Sequence, residues 1–260
     1  MKLQHVHPTA LVAAGARLAP DVRVGPFTVI GPAVEVEAGT TIASHVVITG
    51  RTRIGPGNRI FQFASVGDIP QDRKYGGEST ATVIGAHNVI REFVTIHAGT
   101  AQDRGTTTIG DRNLLLAYSH IAHDCVIGND TTFSNNAQLA GHVVIGDYAV
   151  LGGFVGVHQF CRVGAHAMVA AGSIVLQDVP PFVTASGYPA KPHGINSEGL
   201  RRRGFTASDI AAIRNAYKTL YRQKLSLDQA RANLAAVAVE VPAVSALAEF
   251  LQTPGRGIIR

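Results

Sequence analysis

The chain has 260 residues, of which 46% are hydrophobic and 16% charged, and its formal net charge at pH 7 is +5. A chain this apolar can bury a core, so the composition excludes an intrinsically disordered protein. The positive charge predicts either an ordinary basic surface or an anionic partner, such as nucleotide phosphates, an acidic protein or a nucleic acid.

We expect no targeting segment from the sequence. Two cysteines, Cys125 and Cys161, are too few for a disulfide framework and indicate no oxidising compartment. The first residues lack a basic start followed by a long apolar core, so we expect no signal peptide. Because no run of about 18 apolar residues occurs, we expect no membrane span. The predicted location is the cytoplasm.

The dominant pattern is a period of six residues. Large apolar side chains recur at every sixth position from Val6 to Val66, again at Ile84, Ile90 and Ile96, and then, one residue out of step, from Ile109 to Val175. This period fits neither an amphipathic helix nor a half-buried strand. It predicts short strands joined by turns, three hexads to a coil, which is the hexapeptide parallel β-helix, here with about nine coils.

The pattern divides the chain into two regions. We predict an all-β parallel β-helix over residues 1–185 and a small C-terminal α-helical domain over residues 190–260. Loops inserted near residues 68–83 and 98–108 interrupt the period, and loops that leave a rigid scaffold often carry function.

Helix starts are visible in the C-terminal region. Thr206 with Asp209, and Ser226 with Gln229, have the spacing of capping boxes. Pro242 predicts the opening of a third helix.

Stacked coils predict a cluster of polar side chains. Residues separated by three hexads lie one above another, so His123, Gly141 and Gln159 share one column and His142 lies over Asp124. The predicted cluster consists of His120, His123, Asp124, Gly141, His142, His158 and Gln159. Clustered histidines handle protons or bind zinc. Proton transfer is favoured, since Asp124 and Gln159 would be weak additional ligands for a tight zinc site.

A cysteine nucleophile is rejected. Cys125 and Cys161 fall in the inward slot for small residues, two coils apart. Their thiols are therefore expected to be buried and about 10 Å from each other, too far for a disulfide.

Several segments resemble the UDP-N-acetylglucosamine acyltransferases, which carry out the first step of lipid A assembly in Gram-negative bacteria. They are His120-Ile-Ala-His-Asp-Cys125, Ala140-Gly-His142, Val157-His-Gln-Phe-Cys161, Gln71-Asp-Arg-Lys-Tyr75 and Asn196-Ser-Glu-Gly-Leu-Arg-Arg-Arg-Gly-Phe205. The resemblance implies left-handed winding and a homotrimer with active sites between the prisms. It implies transfer of an (R)-3-hydroxyacyl group from acyl carrier protein to the 3-hydroxyl of UDP-N-acetylglucosamine, with neither a cofactor nor a metal.

The same resemblance implies roles for individual residues. His123 is the expected general base, Asp124 orients it, and the Gly141 backbone N–H stabilises the oxyanion. Contacts to the sugar or the acyl group are expected from Asp72, Lys74, His97, His120, His142, His158 and Gln159. Contacts to the nucleotide are expected from Asn196, Glu198, Arg202 and Arg203.

Two further features of the sequence concern the acyl donor. Basic residues of the helical region are expected to dock the carrier protein. The resemblance implies that Ala171 stands where acyl length is gauged, and a side chain there predicts a medium-length 3-hydroxyacyl donor. The segment Gly187-Tyr-Pro-Ala-Lys191 departs from the family pattern.

Other functions remain open from the sequence. A sister N-acyltransferase of the same pathway acts on a glucosamine derivative, but it carries an extra N-terminal domain and the hexads here begin at Val6. A zinc-dependent trimeric β-helix hydratase of the carbonic anhydrase type would use the histidines as ligands. A non-catalytic scaffold would not need them. A nucleic-acid role is disfavoured, because few aromatic residues lie among the basic ones. The sequence leaves the acyl length open, as well as the choice between UDP-N-acetylglucosamine and a 3-amino analogue.

Overall fold

The computed structural model describes residues 5–260, and most of them form a three-sided prism of short parallel strands. Strands are numbered in chain order. The first face consists of β1 (Leu11–Val12), β4 (Val29–Ile30), β7 (Val47–Ile48), β10 (Ser65–Asp68), β13 (Thr95–His97), β16 (His120–Ile121), β19 (Gln138–Leu139), β22 (Gly156–Val157) and β25 (Ile174–Val175). The second face consists of β2 (Arg17–Leu18), β5 (Glu35–Val36), β8 (Arg51–Ile54), β11 (Ala81–Ile84), β14 (Thr106–Ile109), β17 (Val126–Ile127), β20 (Val144–Ile145) and β23 (Arg162–Val163). The third face consists of β3 (Arg23–Val24), β6 (Thr41–Ile42), β9 (Arg59–Ile60), β12 (Val89–Ile90), β15 (Leu114–Leu115), β18 (Thr132–Phe133), β21 (Val150–Leu151), β24 (Met168–Val169), β26 (Val183–Gly187) and β27 (Ala190–Ile195).

The three edges of the prism are called corners below. The first corner joins the first face to the second, the second corner joins the second face to the third, and the third corner leads back to the first face. Every coil passes the corners in this order, so each corner is a column of turns. Many turn residues adopt positive φ, for example Asp124 at 58° and His142 at 65°.

Strand register explains the slip in the sequence period. Leu11 pairs with Val29, which follows it by three hexads, as in an uninterrupted coil. The first insertion makes Val66 pair with Ile96, and it lengthens that coil by two whole hexads, so the phase is kept. The second insertion makes Ile84 pair with Ile109, and it lengthens that coil by one hexad and a single further residue, so the phase shifts by one.

The core of the prism consists of the aliphatic residues that define the period. Ile48, Ile96 and Leu151 are completely buried, whereas the preceding residue of each strand points outward. Burying such side chains contributes roughly 1.5–3 kcal/mol each. Because the inward positions repeat with every hexad, each hexad in the sequence corresponds to one side of the prism.

The C-terminal region begins with a hairpin of β26 and β27, which pair antiparallel. The predicted helical range, 190–260, therefore opens with a strand. The helices that follow are α1 (Ser197–Arg202), α2 (Ala207–Tyr221), α3 (Leu227–Glu240), a 3-10 turn (Pro242–Val244) and α4 (Ser245–Gln252). Both predicted capping boxes are present, at the starts of α2 and α3. Within residues 5–260, none of the helices combines the length and apolarity needed to cross a bilayer.

A buried ion pair fixes the C-terminal segment to the end of the prism. The Arg162 guanidinium donates to Asp178 at 2.7 Å and to the Thr253 carbonyl at 3.1 Å, and it lies 4.2 Å from the centre of the Phe250 ring. The Ile259 N–H donates to the Asp178 carbonyl. The helical region is thus anchored to the last coils.

Candidate active site

Both insertions leave the prism at the first corner. One occupies residues 69–80 between β10 and β11, and the other occupies residues 98–105 between β13 and β14. The turn between β16 and β17, which carries His123 and Asp124, lies at the same corner. The prism therefore brings the loops and the histidine column together.

A histidine–carboxylate pair lies at the centre of this corner. His123 Nδ1 is 2.9 Å from Asp124 Oδ2, and the Asp124 side chain is completely buried, whereas the His123 ring is 13% exposed. The ring is therefore held at Nδ1 by a buried carboxylate and remains partly exposed.

The second insertion binds Asp124. The Thr100 N–H lies 3.0 Å from each Asp124 carboxylate oxygen, and the Thr100 hydroxyl donates to Oδ2 at 2.6 Å. Arg104 donates to the Asp124 carbonyl at 3.1 Å. Burial raises the pKa of Asp124, but hydrogen bonds from Thr100 and His123, together with the charge of His142, lower the pKa below its ordinary value.

The ionised carboxylate determines the tautomer of His123. A carboxylate only accepts hydrogen bonds, so the proton of the neutral imidazole must be on Nδ1. Nε2 is then a free acceptor that faces away from Asp124. This is the arrangement in which an imidazole can remove a proton from a hydroxyl group.

Gly141 lies directly beside that nitrogen. A Cβ atom at this position would lie 2.6 Å from His123 Nε2, closer than real Cβ contacts allow. The Gly141 carbonyl accepts from the Phe160 N–H, while its own N–H has no acceptor within residues 5–260. The absence of a side chain lets the His123 ring pack against the Gly141 backbone, and an N–H without an acceptor is available to stabilise an oxyanion.

Two further histidines, His120 and His97, lie on the first face next to the histidine–carboxylate pair. His120 Nδ1 is 2.7 Å from the Thr95 hydroxyl, and its ring meets that of His97 edge-on at 4.9 Å. Burial, with the charges of His97 and His123, lowers the pKa of His120 to about 4, and burial also lowers the pKa of His97. Both are therefore neutral at pH 7 and can contribute hydrogen bonds but no charge.

His142 completes the column on the other side. Its Nδ1 is 2.6 Å from Asp103 in the second insertion, and its ring stacks on Phe160 at 4.3 Å. The ring meets that of His123 edge-on at 4.9 Å.

A cavity of about 540 Å³ opens in front of the pair. It runs along the first face towards the end of the prism, where Ile174 and Leu176 line it. Of the predicted site residues, it is lined by His120, His123, Gly141, His158 and Gln159.

A second cavity of about 550 Å³ lies on the other side of the column. It contains Asp72 and Lys74 of the first insertion, Thr100 and Asp103 of the second, and His142. Within one chain, Asp72 and Lys74 are thus separated from the cavity in front of His123.

Other predicted residues lie at different corners. Asn196 caps α1 by accepting from the Gly199 N–H, and it donates to the His166 carbonyl at the second corner. The Arg203 guanidinium lies over the Tyr148 ring of that corner, 4.2 Å from its centre. Glu198 pairs with Arg201 and Arg202. Ala171 lies in the turn after β24, at the third corner, and is exposed.

The hydrogen bonds at the first corner favour proton transfer over metal binding. Potential ligand atoms of His123, Asp124 and His142 lie within 4.8 Å of one another. However, Asp124 already accepts from Thr100 and His123, and Asp103 occupies His142 Nδ1. A zinc ion would need these atoms, together with further ligands for a tetrahedral site.

The side chains of the two cysteines belong to the hydrophobic core of the prism. Cys125 and Cys161 are both free and buried in the prism. Burial raises the pKa of Cys125 to about 12 and that of Cys161 to about 11, so both stay protonated at neutral pH and are poor nucleophiles.

Sequence reasoning missed the contribution of the second insertion. Thr100, Asp103 and Arg104 hold Asp124 and His142, although none of them was predicted as a site residue. The signal in the sequence for this loop was the interruption of the six-residue period between Ile96 and Ile109. Which of the loop residues face inward depends on the path of the loop, which has no repeat.

We expect Thr100→Val to lower stability by roughly 1–2 kcal/mol at pH 7, because a buried carboxylate loses a donor. The depressed pKa of Asp124 contributes stability above the pKa of an unfolded aspartate, about 3.9, and loses it as pH falls through the lower folded value. The difference in melting temperature between wild type and variant should therefore be largest near neutral pH and shrink below about pH 4.

Thr100→Ser is the matched control, because it keeps the hydroxyl and should melt close to the wild type. Thermal melts of the three proteins between pH 3 and 7 check the prediction. A stability difference that is equal at all pH values would contradict it.

Comparison with known proteins identifies relatives over the whole chain. A family model described as Udp N-acetylglucosamine O-acyltransferase, domain 2, matches residues 178–259, and a bacterial transferase hexapeptide model matches residues 6–50 and 106–141. An acyl-[acyl-carrier-protein]–UDP-N-acetylglucosamine O-acyltransferase of Thiobacillus denitrificans is 58% identical over 98% of this chain and 99% of its own. One from Verminephrobacter eiseniae is 53% identical over 99% and 100%.

Solved structures agree with these sequence matches. UDP-N-acetylglucosamine O-acyltransferase of Moraxella catarrhalis superimposes with a TM-score of 0.97 at 44% identity, over 99% of this chain and 100% of that one. The Francisella novicida enzyme gives 0.96 at 44% identity, over 98% and 94%. The predicted fold class, a left-handed parallel β-helix with a small helical region, is confirmed. The chain belongs to the family of acyl-[acyl-carrier-protein]–UDP-N-acetylglucosamine O-acyltransferases.

Proposed function

We propose that this protein transfers an (R)-3-hydroxyacyl group from acyl carrier protein to the 3-hydroxyl of UDP-N-acetylglucosamine, as the first step of lipid A biosynthesis. The observation that carries the proposal is the His123 ring, held at Nδ1 by Asp124 and packed against Gly141, whose backbone N–H has no acceptor within residues 5–260. A base and an oxyanion donor at one point of a cavity are the two groups that acyl transfer to an alcohol requires.

This geometry supports the following reaction. His123 Nε2 takes the proton of the sugar hydroxyl while the oxygen attacks the thioester carbonyl, and the Gly141 N–H donates to the resulting oxyanion. When the tetrahedral intermediate collapses, the C–S bond breaks and the thiolate takes the proton from the His123 imidazolium. Asp124 stabilises that imidazolium through Nδ1. The neutral His120, with His158 and Gln159, would bind hydroxyl groups of the substrates.

A homotrimer would bring the predicted nucleotide-binding residues to this site, namely Asn196, Glu198, Arg202 and Arg203. His123 lies at the first corner of the prism, whereas the residues predicted to bind the nucleotide lie near the second corner, so one copy cannot join them. In a threefold ring, each prism presents two faces to its neighbours. If the first face meets the third face of the next copy, the first corner of one copy meets the second corner of the other.

The third corner would then lie at the threefold axis. It exposes a column of neighbouring rings, some stacked and some tilted, with centres 4.8–5.2 Å apart. The rings are those of Phe27, His45, Phe63, Phe93 and Tyr118. Phe27 is 58% and Tyr118 52% exposed in the single chain. An exposed aromatic stripe of this kind is typical of a surface that an identical subunit covers.

Arg202→Ala should raise the KM for the sugar nucleotide more than it lowers kcat, because a guanidinium that binds the nucleotide rather than the reacting hydroxyl contributes binding that is equal in ground and transition states. Steady-state kinetics with varied UDP-N-acetylglucosamine measure this. The reverse pattern would mean that Arg202 acts mainly in the transition state.

One assay tests the reaction itself. The purified protein is given UDP-N-acetylglucosamine, its 3-amino analogue or an acylated glucosamine nucleotide, each with 3-hydroxyacyl carrier thioesters of several lengths. We expect O-acylation of UDP-N-acetylglucosamine, with a medium-length chain preferred because of Ala171. Transfer only to an amine would instead identify an N-acyltransferase, and hydration of CO2 with bound zinc would identify a hydratase.

A further inference from the structure

Two histidines face the same oxygen of Asp124. His123 Nδ1 lies 2.9 Å from Oδ2 of that carboxylate, and His142 Nδ1 lies 3.9 Å from the same oxygen. Oδ2 also accepts from the hydroxyl and the N–H of Thr100. A carboxylate oxygen has two lone pairs, so a further donor would displace one of these partners. A small shift of the His142 ring would therefore disturb the hydrogen bond that orients His123.

A second carboxylate, that of Asp103, accepts from His142. Asp103 Oδ2 lies 2.6 Å from His142 Nδ1. Because a carboxylate only accepts, the proton of a neutral His142 ring must be on Nδ1. Within residues 5–260, Asp103 and Asp124 are the only carboxylates at ion-pair distance from His142. If Asp103 were removed, the nearest carboxylate left for this N–H would be that of Asp124.

The aromatic contacts of His142 do not select between the two carboxylates. The ring stacks on Phe160 with centres 4.3 Å apart and planes 8° from parallel, and it meets the His123 ring edge-on. Stacking restricts the plane of a ring, whereas a hydrogen bond determines which acceptor its N–H faces. The hydrogen bond to Asp103 is therefore the contact that directs the His142 N–H.

The second insertion presents Asp103 from an ordered turn. The N–H groups of Asp103 and Gly105 both donate to the Thr100 carbonyl, at 3.3 and 3.0 Å. Thr100 in turn donates to Asp124, and Arg104 donates to the Asp124 carbonyl. The same loop thus binds Asp124 directly and holds the ring of His142 through Asp103.

We propose that Asp103 is a positioning residue, which keeps the Nδ1–H of His142 away from Asp124 so that Asp124 Oδ2 remains the acceptor for His123. The inference rests on the proposed function for the role of His123 as the base. Each of the two histidines then has a carboxylate of its own, and His123 keeps its proton on Nδ1. The alternative is a partly exposed pair that only fastens the loop, and such pairs contribute little.

The test compares Asp103→Ala with Asp103→Asn in the full-length enzyme. Alanine removes the acceptor, so His142 can donate to Asp124 and His123 loses its fixed orientation. Asparagine keeps an acceptor oxygen at the same position and loses only the charge. We expect kcat to fall on the order of tenfold in the alanine variant, by more than the KM of either substrate changes, and most of the loss to be recovered with asparagine.

A second background tests whether the loss requires His142. His142→Asn removes the competing ring, and asparagine tolerates the positive φ of 65° at this position. In this background, Asp103→Ala should cause no further loss of kcat. Glu37→Ala removes a carboxylate that pairs with Arg53 of the second face, and this matched control should keep full activity.

A crystal structure of the Asp103→Ala variant separates positioning from fastening. The Asp103 side chain is 38% exposed, so the fold should be kept, and thermal melts check this. We expect His142 Nδ1 within hydrogen-bond distance of Asp124 Oδ2, with the second insertion still in place. A displaced insertion with His142 away from Asp124 would overturn the proposal.

Two kinetic results would also overturn it, namely wild-type kcat in the alanine variant, or an equal loss with and without His142. Lack of acyl transfer by the wild type would instead contradict the proposed function. The crystal structure would still show whether Asp103 keeps His142 from Asp124.

Discussion

Replacing His123 by alanine should lower turnover by about 10²–10⁴-fold with the fold intact, as expected for the loss of a general base. The ring is partly exposed and outside the hydrophobic core, so the β-helix should form without it. The measurement is kcat with saturating carrier thioester and sugar nucleotide, accompanied by circular dichroism and a thermal melt.

His87→Asn is the matched control for this variant. His87 is an exposed histidine at the second corner with a φ of 58°, a conformation that asparagine tolerates. Its replacement should leave turnover unchanged. Full activity of the His123 variant would exclude the mechanism proposed here, whereas equal losses in both variants would point to a general effect of removing a histidine.

Gly141→Ala should lower turnover by at least about 10²-fold, because the new methyl group would displace the His123 ring or the reacting carbonyl, and shifts near ~1 Å have effects of that size. The added Cβ would approach His123 Nε2 to 2.6 Å. The ring is a side chain at the surface and can move aside, so stability should change little. Single-turnover kinetics separate the loss of chemistry from any loss of substrate binding.

Gly153→Ala tests whether the effect is specific to the site. Gly153 occupies the same slot of its hexad at the third corner, and a Cβ there would meet only the Asn135 carbonyl, at 3.4 Å. It should therefore retain activity. A Gly141 variant that is as active as the Gly153 variant would show that close approach at Gly141 is not needed.

The prism could be predicted almost completely from the sequence, and the helical region in part. Each hexad contributes one inward aliphatic residue to one face, so the repeat in the sequence and the repeat in space are the same. The capping boxes at Thr206 and Ser226 could also be predicted, because each depends only on residues three positions apart in the chain. The short helix α1 and the strand β27 were missed, because neither carries a periodic signal of its own.

The juxtaposition of His123, Asp124, Gly141 and His142 was predicted because it follows from stacking. Coils of three hexads place Gly141 beside His123 and His142 over Asp124, as the register requires. The role of the second insertion could not be predicted in this way. Thr100 lies in a loop inserted into the preceding coil. Its hydrogen bond to Asp124 depends on the path of that loop, which the repeat does not specify.

The amino-acid sequence by itself determined the fold and the column of groups at the first corner, because a strict repeat converts position in the chain into position in space. Only the tertiary structure decided which contacts hold Asp124 ionised, and that the residues predicted to bind the nucleotide lie at another corner. These depend on loop paths and on a chain reversal at Val183–Ile195, where the repeat has ended and spacing no longer specifies which side chains meet.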